Sequence, residues 1–148
     1  MTFIEWTNDM SVGRATLDHH HRMILDCLNR LHPLLGTTGQ DDEIRSVLET
    51  LEDFVLVHFS EEERVMRAIG YPDWRQHKLQ HDAMYDMVFE LKVELGHGRV
   101  PAAERLFTGL GDWLVRHILG EDRKYMPYLE CAVPAAVAEW QRANGRPY

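Results

Sequence analysis

No stretch of this 148-residue chain approaches the ~20 consecutive apolar residues needed to cross a bilayer as a helix, so a soluble protein with no integral membrane segment is expected. Cysteine is nearly absent. Cys27 and Cys131 stand alone, far apart and without CxxC spacing, which argues against a zinc ribbon or a thioredoxin-type redox pair. No cluster of Lys or Arg interrupts an acidic balance of 24 acidic to 16 basic residues, net −8, so nucleic acid and anionic lipid are not expected partners. The first residues, Met1 to Asp9, carry neither a basic n-region nor an apolar h-region, and the expected location is cytoplasmic. There is no alternation of period two, no internal repeat and no low-complexity tract.

What the chain does have is a helical seam and nine histidines. Its length suits one domain, divided into an N-terminal arm (1–15), a bundle (16–122) and a tail (123–148). Apolar residues recur at spacings of three and four, as side chains on one face of an α-helix must. Leu17, His21, Ile24, Leu28, Leu31 and Leu35 form the first seam, closed by Gly36; Asp41 and Asp42 suit the cap and first turn of the second. That second seam runs Ile44, Leu48, Leu51, Val55, His58, Glu62, Val65 and Ile69 and closes at Gly70. Asp73 and Gln76, in capping-box spacing, open a third through Trp74, His77, His81, Met84, Val88, Leu91 and Leu95. Pro101 suits the start of a fourth through Leu106, Leu110, Trp113 and His117, with Gly120 as its stop, and a short helix is expected over 134–143. Four amphipathic helices with short connections pack as an up-down-up-down antiparallel four-helix bundle, an all-α fold.

Five histidines, at 21, 58, 77, 81 and 117, take seam positions that aliphatic residues would otherwise hold. Any one of them alone reads as a hydrogen-bonded core residue. In an up-down-up-down bundle, however, all five and Glu62 fall at the same end. Five imidazoles and a carboxylate in one apolar layer would carry a large desolvation cost that a bound metal ion removes. Imidazole and carboxylate are ligands that borderline transition metals accept. Asp122 follows His117 by five residues, a rotation of about 140° on a straight helix, so spacing alone makes it a surface residue unless the backbone loosens near Gly120. In the His19-His20-His21 run only one ring can face the core. The seam selects His21 and leaves His20 open as a group behind the ligands or on the surface.

Taken together, Trp6, Leu17-Asp18-His19-His20-His21, His58-Phe-Ser-Glu-Glu62-Glu63 with Met66, Tyr71-Pro72, His77, His81 and Trp113-Leu-Val-Arg-His117-Ile-Leu-Gly-Glu-Asp122 with Tyr125 resemble the bacterial hemerythrins. The family more usually has a Gln-type residue just before the first ligand. The resemblance implies two iron ions with an oxo or hydroxo bridge, His77, His81 and His117 on one, His21 and His58 on the other, and Glu62 and Asp122 bridging. One iron then keeps an open position for reversible O2 binding, and the implied role is oxygen carriage, storage or delivery, with an oxygen-consuming enzyme as a partner. The alternatives are an O2, redox or NO sensor, or a di-iron oxidase, peroxide-handling or iron-storage protein. Ferritin-like oxidases use Glu-x-x-His on two helices, and here only Glu94 and His97 have that spacing.

Overall fold

The computed structural model describes residues 3–129, and the helix expected over 134–143, with Cys131, lies outside the described residues. The four seams form α1 (Ala15–Leu31), α2 (Asp41–Ala68), α3 (Trp74–Gly96) and α4 (Val100–Arg116), each packed on the next in an up-down-up-down bundle. Among the described residues, no helix is long and apolar enough to cross a membrane.

The helix ends depart from expectation at points where a hydrogen bond decides. α1 stops at Leu31 rather than near Leu35, because Pro33 has no N–H to continue the ladder; His32–Leu34 tightens to a 3-10 turn and Leu35 is only half-buried. α2 starts one residue early. The Ile44 N–H bonds the Gln40 carbonyl at 2.9 Å, so Gln40 is the cap and Asp41 is the first helical residue, where its charge still favours the positive end of the helix. Asp73 does sit at the cap of α3, but its side chain makes no capping hydrogen bond. In α4 the buried residues are Ala103, Phe107, Leu110, Gly111 and Leu114, so the expected Leu106 and Trp113 are rotated to the flank.

Two apolar clusters result. The larger fills the bundle body, with Ile24, Leu28, Leu51, Val55, Met84 and Leu110 among its members. The smaller, Val12, Leu17, Val65, Met66, Tyr71, Tyr125 and Leu129, caps one end. Gly70, at φ +72°, lets the chain reverse after α2 so that the Tyr71 N–H bonds the Met66 carbonyl at 2.9 Å and the Tyr71 ring enters that cap. The N-terminal arm is fastened at both ends of α1. Asn29 accepts from the Ile4 N–H at 2.8 Å and donates to its carbonyl at 2.7 Å, while Asp18 accepts from the Ser11 hydroxyl and, at 2.8 Å, from the Val12 N–H.

Candidate metal centre

Between the body cluster and the cap lies a polar layer: His21, His58, Glu62, His77, His81, His117 and Asp122, none more than 4 % exposed. α1 supplies His21, α2 supplies His58 and Glu62 one turn apart, and α3 supplies His77 and His81 in the same i, i+4 relation. In the His19–His21 run, His21 is buried, His20 half-buried and His19 exposed, as the seam requires.

Asp122 reaches the layer because the backbone does loosen in the turn that holds Gly120, though not on account of the glycine. Beyond Arg116 the α-helix widens into a π-turn, His117–Glu121, and the Asp122 N–H bonds the His117 carbonyl five residues back. An i→i+5 turn stacks residues five apart on one face, so Asp122 lies over His117 and its carboxylate is fully buried. Gly120 neither stops the helix nor needs glycine's freedom, since its φ is not positive and an added Cβ would meet nothing within 4 Å. Gly120→Ala is therefore expected to leave metal content unchanged and the melting temperature equal or slightly higher. Thermal scans of loaded protein with metal analysis check this; lost metal would show that glycine at this position matters after all.

The donor atoms converge. Glu62 Oε2 lies 2.9 Å from His58 Nε2 and 3.5 Å from His81 Nε2, and Glu62 Oε1 lies 3.3 Å from His77 Nε2. Asp122 Oδ1 lies 3.0 Å from His77 Nε2 and 2.9 Å from His117 Nε2, and Oδ2 lies 3.1 Å from His21 Nε2. The His77 and His117 Nε2 atoms are themselves 3.1 Å apart. These atoms form two groups, Glu62, His77, His81, His117 and Asp122, and His21, His58, Glu62 and Asp122, each within 4.8 Å. Both carboxylates belong to both groups.

The layer fits metal ions on its own chemistry. Among the described residues, both oxygens of Glu62 and of Asp122 and the His81 Nε2 are buried with no partner outside the layer itself, a cost that polar groups normally avoid. Bonds of about 2.1 Å at right angles put neighbouring donors about 3 Å apart, the spacing seen here.

Without metal, protons and charges share the layer unevenly. Burial lowers His58 to about 4, against the nearby Glu62 charge. Burial would also lower His77, but hydrogen bonds to Asp122 and Glu62 prevail and raise it to about 9. His21 and His81 are raised against burial as well, by hydrogen bonds to Asp122 and to Glu62 and Glu63 respectively. Burial opposes ionisation of Glu62, yet His58 and the hydrogen bonds from His58, His77 and His81 hold it well below the carboxylate range. Asp122 is likewise held low, by His117 and His21, against burial and the Glu62 charge.

Outer groups orient the rings. His81 Nδ1 lies 3.0 Å from Glu63 Oε1, His117 Nδ1 lies 2.9 Å from Gln80 Oε1, and His58 Nδ1 lies 3.4 Å from His20 Nδ1. Phe59 stacks on His81 and Trp113 on His117, with ring centroids 3.9 and 4.5 Å apart. Sequence gives no role to Glu63, Phe59 and Tyr125, which enter only as parts of the resembling motifs, and gives no sign of Gln80. Only Tyr125 had a signal, its apolar ring three residues past Asp122; its buried hydroxyl is pushed well up by burial and by the Glu62 and Asp122 charges.

With this geometry in view, the family match decides the relationship: the Hemerythrin HHE cation binding domain family matches residues 12–129. The chain belongs to the hemerythrin family. It is 32 % identical to the bacteriohemerythrin of Stenotrophomonas maltophilia over 84 % of this chain and 80 % of that one. Its identity to the bacteriohemerythrin of Methylococcus capsulatus is also 32 %, over 87 % and 98 %. A crystal structure of wild-type hemerythrin superposes with a TM-score of 0.76 at 32 % identity, covering 86 % of this chain and 98 % of that one. A hemerythrin domain with this buried cluster has the makings of a metal centre, and all seven side chains expected from the resemblance come together in it.

Proposed function

We propose that this hemerythrin-family chain is an O2-binding protein rather than an enzyme, holding O2 reversibly at a non-haem di-iron centre for carriage, storage or delivery. The observation that carries the reading is the pair of overlapping donor groups that share Glu62 and Asp122. His77, His81 and His117 would serve one iron, His21 and His58 the other, and the two carboxylates both. The second group offers one protein donor fewer, which leaves room for a small ligand on the His21 and His58 side. When bound, the iron pair would supply the two electrons that O2 takes up and gives back. The chain's own part is to fix the donors, keep the imidazoles neutral and exclude water. An oxygen-consuming enzyme in the cytoplasm would be the recipient.

A ferritin-like oxidase is disfavoured. Glu94, of the one Glu-x-x-His pair, is ion-paired to Arg99 and does not belong to the buried layer. Metal analysis together with absorption spectra of the reduced protein before and after air tests the proposal. About two irons per chain and a visible band that appears with air and fades on deoxygenation are expected; one zinc, no iron and no band would overturn it.

Water exclusion adds a second expectation. Ile24, Leu28, Val55, Met84, Leu114 and Ile118 are buried, and Trp113 is half-buried. Leu114 and Ile118 flank His117 in sequence and belong to the apolar body on which the polar layer rests. Leu114→Ala costs about 2–5 kcal/mol, as does Leu48→Ala, which lies ten residues, about 15 Å of helix, before His58. At matched iron loading, Leu114→Ala is expected to speed autoxidation well beyond Leu48→Ala, because the shortened side chain would admit water and protons that the apolar body otherwise excludes. Equal decay of the oxygenated band would make Leu114 a packing residue only.

A further inference from the structure

The ring nitrogens that face away from the donor cluster are served unequally. His81 has a carboxylate, Glu63, and His117 has an amide oxygen, Gln80, both at hydrogen-bond distance. These two belong to the three-histidine group, whose third ring, His77, has a buried Nδ1 with no partner among the described residues. In the two-histidine group, His21 Nδ1 is buried and has no partner among the described residues. His58 Nδ1 has one neighbour, His20 Nδ1, at 3.4 Å. That ring stands edge-on to His58, with centroids 5.5 Å apart and an interplanar angle of 87°. His20 is half-buried and lines a groove between α1 and α2 with Thr16, Val57, Ser60, Glu61 and Arg64.

The chemistry of imidazole gives this contact a direction. A neutral ring can offer Nε2 as a donor to a metal only if its one proton sits on Nδ1, and that proton needs an acceptor. His58 Nε2 faces Glu62 at 2.9 Å, so its Nδ1–H must point outward, at His20. For His20 to accept, its Nδ1 must carry the lone pair and its Nε2 the proton. A neutral His20 in that tautomer completes a chain from groove to centre: His20, His58, Glu62.

We infer that His20 is the positioning residue of the two-histidine half of the centre, its Nδ1 accepting from His58 Nδ1–H and so holding His58 with Nε2 toward the metal. The inference rests on the di-iron reading above and goes beyond it. It gives a role to a residue the ligand set does not use, at the position where this chain departs from the Gln its family more usually has. The bond is the longest of the three outer contacts, which makes His58 the least firmly oriented ligand that has an outer partner and His20 the side chain on which its half of the centre depends.

The test uses the full-length chain, loaded with ferrous iron without air, as wild type, His20→Ala and His20→Gln. Two readouts are taken: iron released against increasing concentrations of a ferrous chelator, and solvent exchange of the hyperfine-shifted ring N–H protons by NMR. His20→Ala is expected to release one of its two irons at about 10–100-fold lower chelator concentration, the usual effect of removing an outer partner of a metal-bound histidine. The other iron should follow the wild-type curve, and one ring N–H should exchange faster. His20→Gln, whose amide oxygen can accept as Gln80 does for His117, should restore both. A His20→Ala curve superimposed on wild type overturns the inference, as does joint loss of both irons or a Gln variant that behaves like Ala. Wild-type protein that takes up no iron would instead remove the di-iron reading, and this inference with it.

Discussion

Glu62→Gln is expected to abolish loading of both metal ions, whereas His58→Ala is expected to lose only one. Glu62 is fully buried and belongs to both donor groups, with Oε2 beside His58 and Oε1 beside His77. Glutamine keeps its volume, so the bundle should still fold. It removes the negative charge from the middle of the layer and replaces one oxygen with an NH2 that cannot coordinate a cation. Two sites are damaged by one atom. His58 belongs to the smaller group alone, so its removal leaves Glu62, His77, His81, His117 and Asp122 intact around the other ion. The loss in Glu62→Gln should exceed the roughly 10–100-fold that an outer group costs. Metal content per chain, measured on variants whose circular dichroism matches wild type, decides the matter. Two ions retained in Glu62→Gln would remove Glu62 from the ligand set.

The second large effect is a pH dependence of opposite sign with and without metal. In the metal-free chain, hydrogen bonds to Asp122 and Glu62 outweigh burial and hold His77 at about 9, above the 6.5 of an unfolded chain. A raised folded value means that the proton stabilises the fold. That contribution is fully present below about pH 6.5 and is lost as pH rises through about 9. His58, lowered by burial to about 4, acts in the other direction and costs stability as pH falls from 6.5 toward 4. Metal-free protein should therefore weaken between pH 7 and pH 9. A metal ion needs the same nitrogens unprotonated, so loading at pH 7 should expel at least about one proton per chain, and binding should tighten as pH rises. Thermal unfolding of loaded and metal-free protein is expected to show a gap in melting temperature that widens from pH 7 to pH 9. A pH-indicator dye in weak buffer reads the proton release. A gap that narrows over that range would contradict the assignment of the His77 proton.

The bundle and six of the seven inward side chains could be read from the chain because both depend on one period. A seam of three and four fixes which face of each helix is buried, and His21, His58, Glu62, His77, His81 and His117 lie on it. Where two apolar residues are adjacent, as at Leu106-Phe107 and Trp113-Leu114, periodicity does not choose between them; the rotation of α4 in the finished bundle does, and it buries Phe107 and Leu114. The outer partners were not legible for a related reason. Glu63 and Gln80 sit next to ligands in sequence, on flanks that are ordinarily solvated, and only the approach of a neighbouring helix turns them into acceptors. Gly70 and Asp73 stand at helix ends as expected, whereas the end of α1 and the start of α2 shift because Pro33 withholds an N–H and the Ile44 N–H reaches back to Gln40.

Asp122 was the residue that helical counting placed on the surface, and the reason extends past it. Apart from Gly111 and Ile118 beside them, the buried positions along the last helix, on the stripe that carries His117, fall at 103, 107, 110, 114 and 117, then at 122, 125 and 129. The steps are four, three, four, three, then five, then three and four. The π-turn acts as a one-residue insertion that resets the phase of the heptad, so positions before His117 and after Glu121 are read in two different frames. An alignment or a redesign that carries one frame through would turn Tyr125 and Leu129 out of the cap and fill their places with Lys124 and Tyr128, which are exposed here. Removing a single residue from 118–121 would merge the frames while leaving Asp122 four residues after His117, the same spacing by which His58 and Glu62 share their face.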